Sequence, residues 1–198
     1  MFFRLILAIP HFIIVGGPFF GSGNVNEQVD DPVWIIVGVI LALLSTGLLT
    51  VAVAVTSIIS WFAILITGGH PRGLWTFARF YMRWKVNVGV YAGLLRDEYP
   101  PFGEGAYPVQ YWVEAPEHRI RWTVFLRIIL GIPHFIVLFL LQIAWFVTVV
   151  IAWFAILFTG NYPAGLYKFA VGFFRWQTRV NSYVFLLRDE YPPFTLDP

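Results

Sequence analysis

The chain has 198 residues, of which 59% are hydrophobic, 19% aromatic and 12% charged. A soluble domain carries roughly 25% charged residues, so this composition excludes an ordinary water-soluble globule. The lack of cysteine excludes a disulfide framework and thiolate metal sites, and with a formal net charge of +2 no nucleic-acid partner is expected.

In chain order, Arg4 opens an apolar stretch interrupted by Pro10 and His11. No small-x-small cleavage site follows it, so it is read as part of the fold and not as a signal peptide. Residues 21–32 form a polar loop with Glu27, Asp30 and Asp31 and no Lys or Arg. Residues 33–67 and 128–158 are two charge-free runs, each longer than the ~18–20 residues that cross a bilayer as a helix. Each run ends in Thr-Gly-x-x-Pro-x-Gly: Thr67, Gly68, Pro71 and Gly73, then Thr159, Gly160, Pro163 and Gly165. Glycine suits the residue that closes a helix and proline the first turn of the next, so a tight inter-helix turn is expected. A phosphate loop is not, since no Lys stands at Walker spacing.

Amphipathic helices are expected at 73–95 and 165–187. Their polar stripes are Thr76, Arg79, Arg83 and Asn87 in the first and Lys168, Gly172, Arg175, Arg179 and Ser182 in the second, at steps of three and four residues. Central arginines are costly inside lipid, so both helices are expected to lie in the interface. Arg79, Arg83, Lys168, Arg175 and Arg179 would then contact lipid headgroups, and Trp75, Trp84 and Trp176 would sit at headgroup depth. Arg-Asp-Glu-Tyr-Pro-Pro-Phe ends each helix, with the paired prolines forcing extended backbone. Its acids are expected to pair locally, Asp97 and Glu98 with Arg96 or Arg83.

The chain is an internal duplication. Residues 61–102 align without gaps on 153–194, with 25 of 42 positions identical, and residues 4–13 align on 127–136, with 8 of 10 identical. The offsets are 92 and 123, so the first copy carries 31 extra residues between the two blocks. Self-similarity of this kind means two structural units: residues 1–102, a linker at 103–118 that is polar and acidic, and residues 119–198. A polar loop inside a spanning helix would leave its backbone without partners in hydrocarbon. The loop is therefore assigned to a hairpin tip, and the tip of the second copy to residues 138–142. The arms of that copy are short; starting the first at Trp122, with Arg127 snorkelling, lengthens it, and a shallow re-entrant hairpin is the alternative. The 33–67 arm is too long for the bilayer and is expected either to project from the membrane or to bend near Ser45, Thr46 and Gly47. The expected fold is an all-α integral membrane protein of two tandem repeats, each a transmembrane helical hairpin followed by an amphipathic interfacial helix. The positive-inside tendency places both termini in the cytoplasm and residues 21–32 outside.

Trp-Phe-Ala-Ile-Leu-x-Thr-Gly, the Pro-x-Gly-Leu turn and Tyr-Pro-Pro-Phe, each present twice, resemble the bacterial membrane family known as domain of unknown function 4389. The first copy departs from that family's Tyr-Pro turn at His70. The resemblance implies a small bacterial inner-membrane protein and supplies no catalytic residues; the multi-pass topology follows from the hairpins.

His11 and His134 follow prolines at equivalent positions. Two axial histidines can hold a haem, but a hydrogen-bonding role beside each proline is the preferred reading, and no cofactor or metal is expected. Neither Gly-x-Ser-x-Gly nor His-Glu-x-x-His occurs, and the apolar runs hold no ionisable residue at mid-depth to line a transport path. The expected function is non-enzymatic: an accessory or scaffolding subunit of a membrane complex. In it Gly38 and Ala42, one turn apart, would mark a helix contact with another membrane subunit. The alternative is a membrane-shaping surface protein that binds anionic lipid.

Overall fold

The computed structural model describes residues 3–15, 47–116 and 121–197. Among these it has five α-helices and no strand: α1 (Phe3–Val15), α2 (Leu48–Thr67), α3 (Arg72–Ala92), α4 (Arg121–Thr159) and α5 (Ala164–Val184). The glycine turns form as the sequence implies. Gly68 and Gly160 are left-handed at φ 77° and 72°, and their N–H groups close the helix on Ile64 and Ile156 carbonyls at 2.8 and 2.9 Å. α3 and α5 then begin directly after Pro71 and Pro163.

α3 and α5 stop before the paired prolines, at a leucine. Leu94 and Leu186 adopt φ 62° and 61°, and the Leu95 and Leu187 N–H groups reach back to the Val90 and Ser182 carbonyls at 2.9 Å. This is a Schellman closure with leucine where glycine is usual, at a cost of about 1–2 kcal/mol in backbone strain. At Leu186 the side chain offsets that cost. It is buried against Ile64 of α2 and Val124 of α4, a contact that glycine would forfeit.

In the second copy the hairpin expected at residues 138–142 does not form. α4 is one helix of 39 residues, and residues 138–142 lie in its middle. Leu138-Phe139-Leu140-Leu141-Gln142 contains no turn former, so nothing breaks the backbone ladder. In the first copy the same long helix is split. α1 ends at Val15 and α2 starts after Gly47, which takes φ 80°. Thr50 Oγ1 donates to the Val15 carbonyl at 2.9 Å. By the two offsets Val15 corresponds to Leu138 and Thr50 to Gln142, which are one turn apart in α4. The insertion therefore leaves and re-enters the helix at one point, and a threonine hydroxyl serves a carbonyl that the break deprives of its partner. The polar loop at 21–32, the apolar run at 33–46 and the proposed contact residues Gly38 and Ala42 lie outside the described residues.

The register yields a test. Deleting residues 16–46 joins Val15 to Gly47 in the way Leu138 joins Phe139. The variant is expected to fold with undiminished thermal stability and unchanged helical ellipticity per described helix. Loss of the cooperative melt would show that α1 and α2 do not share one helix path.

Each copy is a hairpin of a different kind, in which the long apolar helix is one arm and the amphipathic helix returns along it. α3 runs back past Thr50 and His11, through Tyr81 and Trp84, and α5 runs back past Trp145 and His134, through Phe173 and Trp176. The copies pack antiparallel. Trp75 at the start of α3 donates to Leu187 at the end of α5 at 3.3 Å, and Trp61 near the end of α2 donates to Val124 near the start of α4 at 2.9 Å.

α2 and α4 are long and apolar enough to cross a membrane, and only 17% and 22% of their most apolar windows are buried. That low burial separates them from core helices of a soluble protein. The buried residues of α4, among them Val124, Arg127, Gly131, His134, Leu138, Trp145, Thr148 and Ala152, form a single stripe, and the rest of its surface is exposed and apolar.

Candidate functional site

The two blocks repeated at different offsets form one site in each copy. His11 Nδ1 accepts the indole N–H of Trp84 at 3.1 Å, and His134 Nδ1 that of Trp176 at 3.2 Å. Phe102 and Phe194 stack on the imidazoles at 4.1 and 3.9 Å between centroids, and Tyr99 and Tyr191 lean on them at 5.0 and 4.9 Å. The same tyrosine hydroxyls donate to the Leu7 and Leu130 carbonyls at 3.1 and 3.3 Å, beside the helix carbonyls that Pro10 and Pro133 leave without a donor. Tyr-Pro-Pro-Phe is thus a lid folded over Pro-His. Both histidines are fully buried. An indole can only donate, so Nδ1 is the acceptor and the neutral ring carries its proton on Nε2. That atom has no hydrogen-bond partner in either copy among the described residues. Each imidazole is walled by its own copy, so the structure does not bring the histidine pair together as one haem site.

A second tie crosses the same two blocks. Arg127 is 1% exposed and does not snorkel. It bonds Asp189 at 2.7 Å, donates to the Tyr183 and Arg188 carbonyls at 3.1 and 3.2 Å, and lies over the Tyr183 ring. In the second copy the aspartate of the repeated motif is therefore paired 62 residues upstream. Arg188 pairs with Glu190 instead.

The basic stripe lies on the opposite side of α3 and α5 from the long helices. Ala170, Phe173 and Trp176 belong to the cluster that includes Trp145 and Leu138 of α4. Arg175, Thr178, Arg179 and Ser182 line a cleft of about 580 Å³ between α3, α5 and the linker segment at residues 109–113. The linker is packed and not a bare connection: Tyr107 and Val113 are buried. Tyr111 shares a hydrogen bond with Ser182 at 2.8 Å. Burial pushes the Tyr111 phenol up to about 12, against the smaller opposing pull of the Ser182 hydrogen bond, Arg188 and Arg79.

The arginines expected at lipid headgroups have varied partners. Arg79 lies over the Trp75 ring at 5.3 Å. Arg83 donates to the Gly105 carbonyl at 3.1 Å, and Arg179 to the Thr195 and Asp197 carbonyls, so these two pin the segments that follow each Tyr-Pro-Pro-Phe. Lys168 and Arg175 are exposed. Asn87, read as part of the polar stripe, is fully buried, and Trp84 and Trp176 are interior histidine partners, not headgroup anchors. Each serves a residue 42–73 positions away, beyond the reach of helical periodicity. The sequence signal was the co-occurrence of both blocks in both copies.

A family model described as "Domain of unknown function (DUF4389)" matches residues 33–103 and 121–195. Its first match begins inside the insertion, whereas the contacts of His11, Leu7 and Val15 put α1 in the place that residues 126–138 occupy in the second copy. No curated protein and no solved structure matches the chain.

Proposed function

The chain belongs to the DUF4389 family, whose domain it contains as two tandem copies, and on that footing we propose that it is a non-enzymatic membrane-surface protein of the bacterial inner membrane. The layer formed by α1, α2 and α4 is seated in the cytoplasmic leaflet. α3, α5, the linker and both termini face the cytoplasm. One observation carries this reading. Among the described residues the exposed large apolar side chains of the helices crowd onto α1, α2 and α4, while α3 contributes none and α5 contributes Tyr167 alone. A bundle standing across the bilayer would turn Arg72, Arg79, Arg83 and Arg175 toward lipid, at several kcal/mol for each unpaired charge. Length argues the same way: 39 residues at a rise of ~1.5 Å make about 58 Å, nearly twice a ~30 Å hydrocarbon core. A helix lying in the leaflet has no such surplus.

Asn26→Cys and Ala115→Cys, introduced singly into this cysteine-free chain, test the topology. In intact spheroplasts neither is expected to react with a membrane-impermeant thiol reagent, and both should react after lysis. Labelling at position 26 from outside, with position 115 protected, would overturn one-sided seating in favour of a multi-pass topology.

A second reading is an accessory or scaffolding subunit of a larger membrane complex. It draws on the insertion, whose apolar run with Gly38 and Ala42 has no counterpart in the second copy. Native extraction would then recover the chain in a hetero-complex that the 16–46 deletion dissolves. A free monomer in both cases would leave the surface reading alone.

A further inference from the structure

The cleft over α3 and α5 has the size of a small-molecule pocket, within the usual range of roughly 300–1,000 Å³, and an unusual charge. Arg96, Arg175, Arg179 and Arg188 all line it, and among the described residues no acidic side chain does. Arg188 is engaged by Glu190 and Arg179 by backbone carbonyls. Arg96 and Arg175 are exposed and have no acidic partner among the described residues. The crowding is electrostatically unfavourable: after burial, the charges of Arg175 and Arg188 are what hold Arg179 below the ordinary arginine range. Guanidinium groups match phosphate oxygens in geometry and bind them in pairs. Hydroxyl groups of Tyr111, Thr178 and Ser182 stand in or beside the same cleft, and Val86, Val90 and Phe174 supply an apolar wall. We infer that this cleft is a binding site for a phosphate-bearing organic anion, held at the Arg96–Arg175 mouth with its apolar part along the α3 wall.

The site uses arginines from the end of the first copy and the second helix of the other, so it exists only in the tandem arrangement. It goes beyond the membrane-surface reading, and under that reading it opens away from the bilayer, toward soluble ligands. The phosphate could equally belong to a lipid headgroup, and the test separates the two sources.

Full-length protein in a non-ionic detergent is titrated with inorganic pyrophosphate, with micelle-incorporated phosphatidylglycerol, and with sulfate at matched ionic strength. Binding is read by calorimetry and by the rise in melting temperature. Pyrophosphate is expected to bind saturably at one site per chain and at least tenfold more tightly than sulfate. Arg96→Gln combined with Arg175→Gln should weaken it at least tenfold while leaving the ligand-free melting temperature unchanged, because neither side chain holds the fold together. Saturable binding of phosphatidylglycerol, lost in the double variant, with none of pyrophosphate, would keep the phosphate site and overturn its soluble source. Equal binding of pyrophosphate and sulfate, or equal binding by parent and double variant, would overturn the site itself. None of these outcomes depends on which side of the membrane residue 26 occupies, so this inference and the proposed seating fail separately.

Discussion

Asp189→Asn is expected to be the more damaging half of a two-residue comparison, destabilising the protein by roughly 3–5 kcal/mol, the usual cost of stranding a buried charge. Arg127 is 1% exposed and Asp189 22% exposed on their side chains. Removing the carboxylate leaves a guanidinium in the interior with only the Tyr183 and Arg188 carbonyls as acceptors. Removing the guanidinium instead, as Arg127→Met, keeps the packing of the stem and leaves an aspartate that water can still reach. That variant should therefore cost less, about 1–3 kcal/mol for the lost charged hydrogen bonds. The double variant should be more stable than Asp189→Asn alone. Chemical denaturation in a fixed detergent would measure all three. If Arg127→Met proved the worst of them, the stranded charge would not be the governing effect. The repeat counterparts by offset are Arg4 and Asp97.

The second large effect lies in the imidazole cages. His134→Ala removes the acceptor of a buried indole, which costs about 1–3 kcal/mol, and the ring on which Phe194 stacks, worth about 0.5–1.5 kcal/mol. A total of roughly 2–4 kcal/mol is expected, and the Tyr191–Phe194 lid should come loose, so that a protease cuts after Arg188 many times faster than in the parent. His134→Phe restores a ring for Phe194 and still orphans Trp176, so it should fall between parent and alanine variant. The two histidine sites have matching geometry to within 0.2 Å in their hydrogen bonds and ring stacks. His11→Ala is therefore expected to expose Phe102 and its motif in the same way. Equal proteolysis of parent and alanine variants would mean that the lid is held by something other than the histidine.

The helical content, the duplication, the Thr-Gly-x-x-Pro turns and the apolar class of α2 and α4 were legible because each is local or periodic. Glycine and proline act over a few residues of backbone, a stripe repeats every three to four residues, and a charge-free run is a property of composition. The hairpin expected in the second copy failed because its tip was carried over from the insertion of the first copy, which residues 138–142 do not share. The missing turn former at residues 138–142 was the available warning. Tertiary structure alone paired Arg127 with Asp189 and Trp176 with His134, because those contacts arise only when α5 folds back along α4. It also turned the arginines of α3 and α5 away from the apolar layer. An amphipathic stripe says that a helix has two faces, and only the packing of Phe173 and Trp176 against α4 decides what each face meets, since burying those rings offsets more free energy than any contact the exposed arginines make in water.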